Sequence, residues 1–381
     1  MATFPRVFEG EAAARFGPAF ALVALLAVGC SREPDGYDPA LRYADRADPI
    51  AVSLPVNPPT AMAEAGKIDE AISRLALAGG KVLDPRTVPA AERAALTKSL
   101  EDLFGTPANP LIPDSVKLPG IDLSPTALAH GSRAYKRLCL QCHGIPGDGR
   151  GPGGPWLNPL PRDFRHGYYK ASTSATARPR VDDLRRVIRG GVPNTAMQSF
   201  DSLNGADVDA VVGYVIHLSL RGEVELSSLK HLLGDDGEPV DTAADLGRIA
   251  KQWDAAQAQA PAAVAGVPAE NPDAESLRRG EKLFATAGCA ACHVDYGRAD
   301  QFRYDIWGLP NRVADLTAGK YRWGGSPEDI ARRVRHGIPA ANMPANPGLS
   351  EADVRDLAGF VRALPAPGKL PDDVRGRVYA K

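Results

Sequence analysis

Apolar residues fall into three patterns along this chain. The first is a continuous run, Ala19–Gly29 (AFALVALLAVG), preceded by Arg6 and Arg15. It suits the h-region of a signal peptide (residues 1–29) and is too short for a bilayer span, which needs about 20 residues. The second pattern is the lack of any period from Ser31 to about Thr60. This stretch is rich in Pro, Asp and Arg and reads as a tether reaching ~30 Å as a coil. The third pattern is helical spacing. Helices are expected over 61–79 and 89–104. In the second of these, Pro89 starts the helix, Leu96, Leu100, Leu103 and Phe104 form one stripe, and Gly105 stops it. This region, 30–125, reads as a tether and a helical packing segment for the adjoining domain. A later stripe, Leu246, Ile249, Ala250 and Trp253, predicts a helix that ends in the linker AAQAQAPAAVAGVPAENP. As a coil that linker would let the domain after it move by ~25 Å.

Repetition orders the rest. Residues 182–216 align without a gap onto 328–362, at an offset of 146. Gly191-Val192-Pro193 meets Gly337-Ile338-Pro339, Met197 meets Met343, and Gly213-Tyr214-Val215 meets Gly359-Phe360-Val361. Upstream, Gly131 and Tyr135 correspond to Gly280 and Phe284, Asp163-Phe164 to Asp315-Leu316, and Tyr169 to Tyr321. The alignment defines two homologous domains, at 126–222 and 274–366. Residues 223–273 form the helix and linker between them, and 367–381 a C-terminal tail. Each domain starts and ends with a helix. The glycine of the first helix lets the two cross closely, because it has no Cβ to hold them apart.

The chemistry sits at the end of each first helix, in Cys139-Leu-Gln-Cys142-His143 and Cys289-Ala-Ala-Cys292-His293. C-x-x-C-H is the attachment signature of c-type haem: two thiols add to the vinyl groups of one haem, and the adjacent imidazole binds its iron. These motifs use four of the five cysteines. A zinc site would need the two pairs together, yet they lie in separate repeats. A redox disulfide would need a βαβ context that is absent. For the sixth iron ligand, Met197 and Met343 sit at equivalent repeat positions, 54 and 50 residues after their histidines. Methionine beside histidine raises a haem's potential. His336, next to Gly337 on the Met343 loop, is the alternative ligand there. His166 and His217 read as surface or packing residues. Arg162, Arg165, Tyr169 and Lys170, with Tyr321, Arg322 and Trp323, either bond haem propionates or are ordinary loop residues. A net charge of −1 calls for neither nucleic acid nor an anionic membrane. Hydrophobic residues, at 44% of the chain, suffice for compact cores. Aromatics are only 6%, which a core-filling cofactor would offset.

Each repeat resembles a class I cytochrome c domain. The resemblance implies an all-α fold: two tandem cytochrome c domains and a partly helical N-terminal region. It further implies two covalently bound haem c groups with iron ligands His143 and Met197, and His293 and Met343. Pro193 and Pro339 would brace the methionine loops. The stretch His143-Gly-Ile-Pro-Gly-Asp-Gly-Arg-Gly-Pro and then Pro161-Arg162-Asp163-Phe164 is similar to periplasmic cytochromes that sit beside respiratory complexes. Ala27-Val28-Gly29-Cys30 resembles the lipobox of bacterial lipoproteins, making Cys30 a lipidation site. The alternatives are a plain cleaved signal or an uncleaved anchor, and all three place the bulk of the chain outside the cytoplasm. The expected function is single-electron transfer between respiratory redox partners at the periplasmic side of a bacterial membrane. The rival is a di-haem enzyme such as a peroxidase or thiosulfate dehydrogenase.

Overall fold

A computed structural model describes residues 36–380 apart from 65, 175, 177, 235–238 and 260–264. The apolar run 19–29 and Cys30 lie outside the described residues. The chain is mostly helical, with 49% helix and 5% strand, in agreement with the expected all-α class. Among the described residues no helix is long and apolar enough to cross a membrane.

The N-terminal region is more structured than its composition suggests. Strand β1 (Ile50–Ser53) pairs antiparallel with β2 (Lys81–Leu83), with helix α1 (Ile68–Ser73) between them, and α2 (Ala90–Phe104) comes next. The helix expected over 61–79 shrinks to α1 and a short turn at Ala76–Ala78, because Gly66 and Gly79 flank it in left-handed backbone. The tether expected up to Thr60 is, from residue 36 to Ile50, a packed arm in which Tyr37, Tyr43 and Ile50 are buried and Arg46 is 2% exposed, whereas Val52 and Val56 beyond it are exposed. Several of the arm's partners, Tyr214, His217 and Glu225 among them, lie more than a hundred residues away in sequence, so no local period announces them.

The first repeat contains α3 (Pro125–Leu138), α4 (Leu140–His143), α5 (Val181–Gly190) and α6 (Gly205–Leu233). Side-chain oxygens cap the two long helices: Ser124 accepts from Ala127 N, and Asn204 from Asp207 N. Helix α6 runs past residue 222 and is buried through most of its middle. The N-terminal arm and α2 cover its outer face, with Tyr43 and Phe104 against His217. Helix α7 (Thr242–Ala258) packs on α6 through Leu246, Ile249 and Trp253, and Trp253 Nε1 donates to Glu223 at 2.7 Å.

The second repeat contains α8 (Ala274–Thr286), α9 (Cys289–Cys292), the hairpin strands β3 (Phe302–Tyr304) and β4 (Pro310–Arg312), then α10 (Pro327–His336) and α11 (Glu351–Ala363); α12 (Asp372–Val378) closes the chain. Its core is separate and includes Val374 and Val378 of α12. The described end of the linker is packed rather than loose. Pro268 and Pro272 lie against Gly359, and Arg362 donates to Glu270 O at 2.8 Å.

Both repeats cross their first and last helices in the same way. A Cβ on Gly131 would lie 2.0 Å from Ala210 O, and one on Gly280 2.2 Å from Asp356 O. No L side chain fits either place. Beside each crossing an aromatic pair meets edge to face: Tyr135–Tyr214 at 5.2 Å and Phe284–Phe360 at 5.9 Å.

Candidate functional site

Each crossing delivers a C-x-x-C-H segment to the same place. In the first repeat α3 ends at Cys139, and α4 coils back as one turn, with His143 N donating to Cys139 O at 2.9 Å. In the second, His293 N donates to Cys289 O at 2.9 Å. The imidazoles are then fixed identically. His143 Nδ1 donates to Arg162 O at 3.1 Å, and His293 Nδ1 to Ala314 O at 3.1 Å. A carbonyl on Nδ1 sets the tautomer and leaves the Nε2 lone pair for a metal, the arrangement found at metal-binding histidines. Burial pushes His143 down to about 4 and lowers His293 as well, so both are neutral at neutral pH, as ligation requires. The two carbonyls escaped sequence reading. Their only sequence signal is that each precedes the aligned aspartate, Asp163 or Asp315.

The four motif thiols are free and half-buried. Burial pushes Cys139 up to about 12 and raises Cys289. Exchange-active cysteines have depressed values, so Cys139 and Cys289 are poorly suited to disulfide chemistry. Among the described residues, no group of three or more His, Cys, Asp or Glu side chains is arranged to hold a metal ion by itself.

The methionine loops also match. Gly191 and Gly337 end α5 and α10 at φ +65° and +67°. A Cβ there would lie 2.6 Å from Met197 O or 2.3 Å from Met343 O, so the turn needs glycine for both φ and space. Val192 N donates to Met197 O at 2.9 Å, and Ile338 N to Met343 O at 3.0 Å. Both methionines are half-buried. Pro339 opens a short turn, Pro339–Ala341, while Pro193 is exposed. His336 is the last residue of α10.

The remaining candidates separate by partner. Arg165 is bound to Asp48 and Asp163, Tyr169 Oη to Ser219 at 2.7 Å, and Lys170 to Asp305 at 3.0 Å. Tyr321 Oη donates to Val361 O at 3.2 Å, and Trp323 O accepts from Arg333. His166 and His217 are packing residues, each hydrogen-bonded within the protein. Burial lowers Arg162 and Arg322; Arg322 has no carboxylate partner among the described residues, while Asp305 and Asp163 act on Arg162 from beyond ion-pair distance. A desolvated guanidinium outside any ion pair suits a propionate. The donor set therefore fits haem c in both repeats. Cys139, Cys142, Cys289 and Cys292 would attach it, and His143 and His293 would bind iron. Met197 and Met343 would offer thioethers, and Arg162 and Arg322 would be guanidiniums for propionates.

Residues 126–215 and 275–361 both match the family model for cytochrome c oxidase, cbb3-type, subunit III. The match supports a cytochrome c family. Together the two cytochrome c segments span somewhat under half of the chain, and each contains one C-x-x-C-H and its aligned methionine. Among solved structures, a chain of the reducing HAO-like protein complex of Kuenenia stuttgartiensis aligns at 27% identity with a TM-score of 0.46, over 62% of this chain and 95% of that chain.

Proposed function

We propose that this chain is a di-haem c-type cytochrome that carries single electrons between redox partners outside the cytoplasm. The observation that carries the reading is the duplicated histidine geometry: each C-x-x-C-H imidazole has its Nδ1 on a backbone carbonyl at 3.1 Å, leaving Nε2 free. Haem c supplies a one-electron iron couple whose potential depends on axial ligand and burial. The protein's part is to hold and shield it. Cys139 and Cys142, with Cys289 and Cys292, fix the groups covalently. Arg162 O and Ala314 O orient the imidazoles. Met197 and Met343, on the glycine-ended loops, would be the second protein ligands to each iron, and an iron held from both sides would favour transfer over turnover. We also propose a periplasmic location, with lipid on Cys30 as the membrane anchor, beside a respiratory complex.

Two haems per chain, measured against protein mass and retained through denaturing electrophoresis, test the reading. Met197→His and Met343→His should each lower one midpoint potential and remove one near-infrared sulfur-to-iron band. One haem per chain, or steady peroxide or thiosulfate turnover above ~1 per second, rejects it. An acylated Cys30 in the mass spectrum of the mature protein checks the anchor, and an unmodified N-terminus elsewhere rejects it.

A further inference from the structure

Among the described residues, the two repeats meet at the hairpin β3–β4 of the second and at its Pro339–Ala341 turn. Trp307, in its connection, is buried although it lies in a loop. The Arg162 guanidinium lies over its ring at 3.9 Å, and the His166 ring meets it edge to face at 5.9 Å. Tyr168 of the first repeat packs into a small apolar cluster with Trp307 and Ala340 of the second. Beside them Lys170 Nζ donates to Asp305 Oδ2 at 3.0 Å and to Asn311 Oδ1 at 3.3 Å. Asp305, 3% exposed, also accepts from Trp307 N and Leu309 N, which closes the loop around it. From the other side, Gly308 faces Ala51 and Leu75 of the N-terminal region.

This contact joins the two candidate ligand loops. Arg162, whose ring contact is Trp307, is the residue whose carbonyl holds His143. On the other side Asn342 Nδ2 donates to Tyr304 O at 2.7 Å, and Asn342 precedes Met343. Ala340, in the Trp307 cluster, lies on the same loop. The path from His143 to the Met343 loop therefore runs through Arg162, the buried Trp307 and the hairpin to the exposed Asn342.

We propose that the β3–β4 hairpin is an internal docking latch, centred on Trp307 over Arg162, that locks the second repeat to the first and provides the contact across which electrons pass between them. The electron-transfer part rests on the di-haem reading above; the latch itself does not. The contact passes one electron at a time, oxidising the group held by one repeat as it reduces the group held by the other, with no bond made or broken and no proton required. Linked domains move relative to each other by default unless a well-packed interface prevents it. A stacked cation, a buried ion pair and a shared apolar cluster form such an interface. Excursion of the second repeat on its linker is then unnecessary.

The test uses the full-length holoprotein and compares wild type, Trp307→Ala, Trp307→Phe and the rim pair Lys170→Met with Asp305→Asn. Haem content is measured for each. Small-angle scattering reads the maximum dimension, and rapid one-electron reduction reads transfer between repeats. Trp307→Ala should lengthen the particle and slow internal transfer by an order of magnitude or more; Trp307→Phe should restore most of both. If Trp307→Ala does not fold, the rim pair should give the same changes in weaker form. Unchanged dimensions in folded variants overturn the latch. Lengthening with an unchanged transfer rate overturns the electron path. A single haem per chain overturns the di-haem reading, while the scattering result still decides the latch.

Discussion

The first repeat is built into the N-terminal arm, whereas the second is closed mainly by its own α12. At the aspartate after the histidine-holding carbonyl, both make the same turn: Arg165 N donates to Asp163 Oδ1 and Thr317 N to Asp315 Oδ1, each at 2.9 Å. The side chains then diverge. Arg165 reaches into the arm and binds Asp48 through two hydrogen bonds of 2.8 and 3.0 Å. Thr317 only returns its hydroxyl to Asp315. Phe164 stacks on His143 at 4.5 Å, but Leu316 stands in its place in the second repeat, where the ring nearest His293 is Phe284 at 6.4 Å. One repeat thus holds its histidine in a dry, ion-braced loop and the other in a more open one. Solvent access and dielectric tune a metal's potential, so a duplicated frame can carry two unequal redox sites.

The largest test of this contrast is Arg165→Ala. Burial alone would raise the Asp48 carboxyl, but Arg46 and Arg165 hold it well below the usual range. Removing Arg165 leaves Asp48 and Asp163 with too little compensation, and breaking such a buried pair costs about 3–5 kcal/mol. The matched change, Thr317→Ala, should cost within about 1 kcal/mol, the scale of a single hydrogen bond. Denaturant unfolding of the two variants measures both. Equal losses would mean that the arm does not distinguish the repeats.

A second test addresses what the repeats share. Gly131→Ala and Gly280→Ala each place a methyl against a backbone carbonyl at a helix crossing. Overpacking of this kind costs about 1–3 kcal/mol. Unfolding should show similar losses for the two, and a harmless substitution at either position would break the equivalence of the crossings.

Legibility in the sequence divides along the same line. The repeated parts announced themselves: C-x-x-C-H, the crossing glycines and the methionine loops recur at offsets of 150, 149 and 146 residues because both copies need the same local geometry. The differences were not legible. Arg46 and Asp48 lie in a Pro- and Asp-rich stretch with the composition of a tether, and their partners Arg165 and Glu225 are more than a hundred residues on. The hairpin latch has no period because its strands are three residues each. The carbonyls of Arg162 and Ala314 are backbone atoms, whose role no side-chain identity encodes.

The smallest expected effect is the acid sensitivity that His217 contributes in the first repeat. His217 is fully buried in α6, with Nδ1 donating to Leu111 O at 3.0 Å and Nε2 3.1 Å from Tyr43 Oη. Burial, and then the nearby Arg221, push it down to about 3. Its counterpart in the second repeat, at the same offset, is Ala363. The folded value lies below the unfolded one of about 6.5, so the unfolded chain binds the extra proton. Stability is then complete above pH ~6.5 and is lost as pH falls toward 3. Between pH 7 and 6 the loss is under about 1 kcal/mol for one such histidine. His217→Gln should flatten the slope of unfolding free energy against pH from 6.5 to 5, whatever its effect at neutral pH. An unchanged slope would assign the acid limb to other groups and remove His217 from the contrast between the repeats.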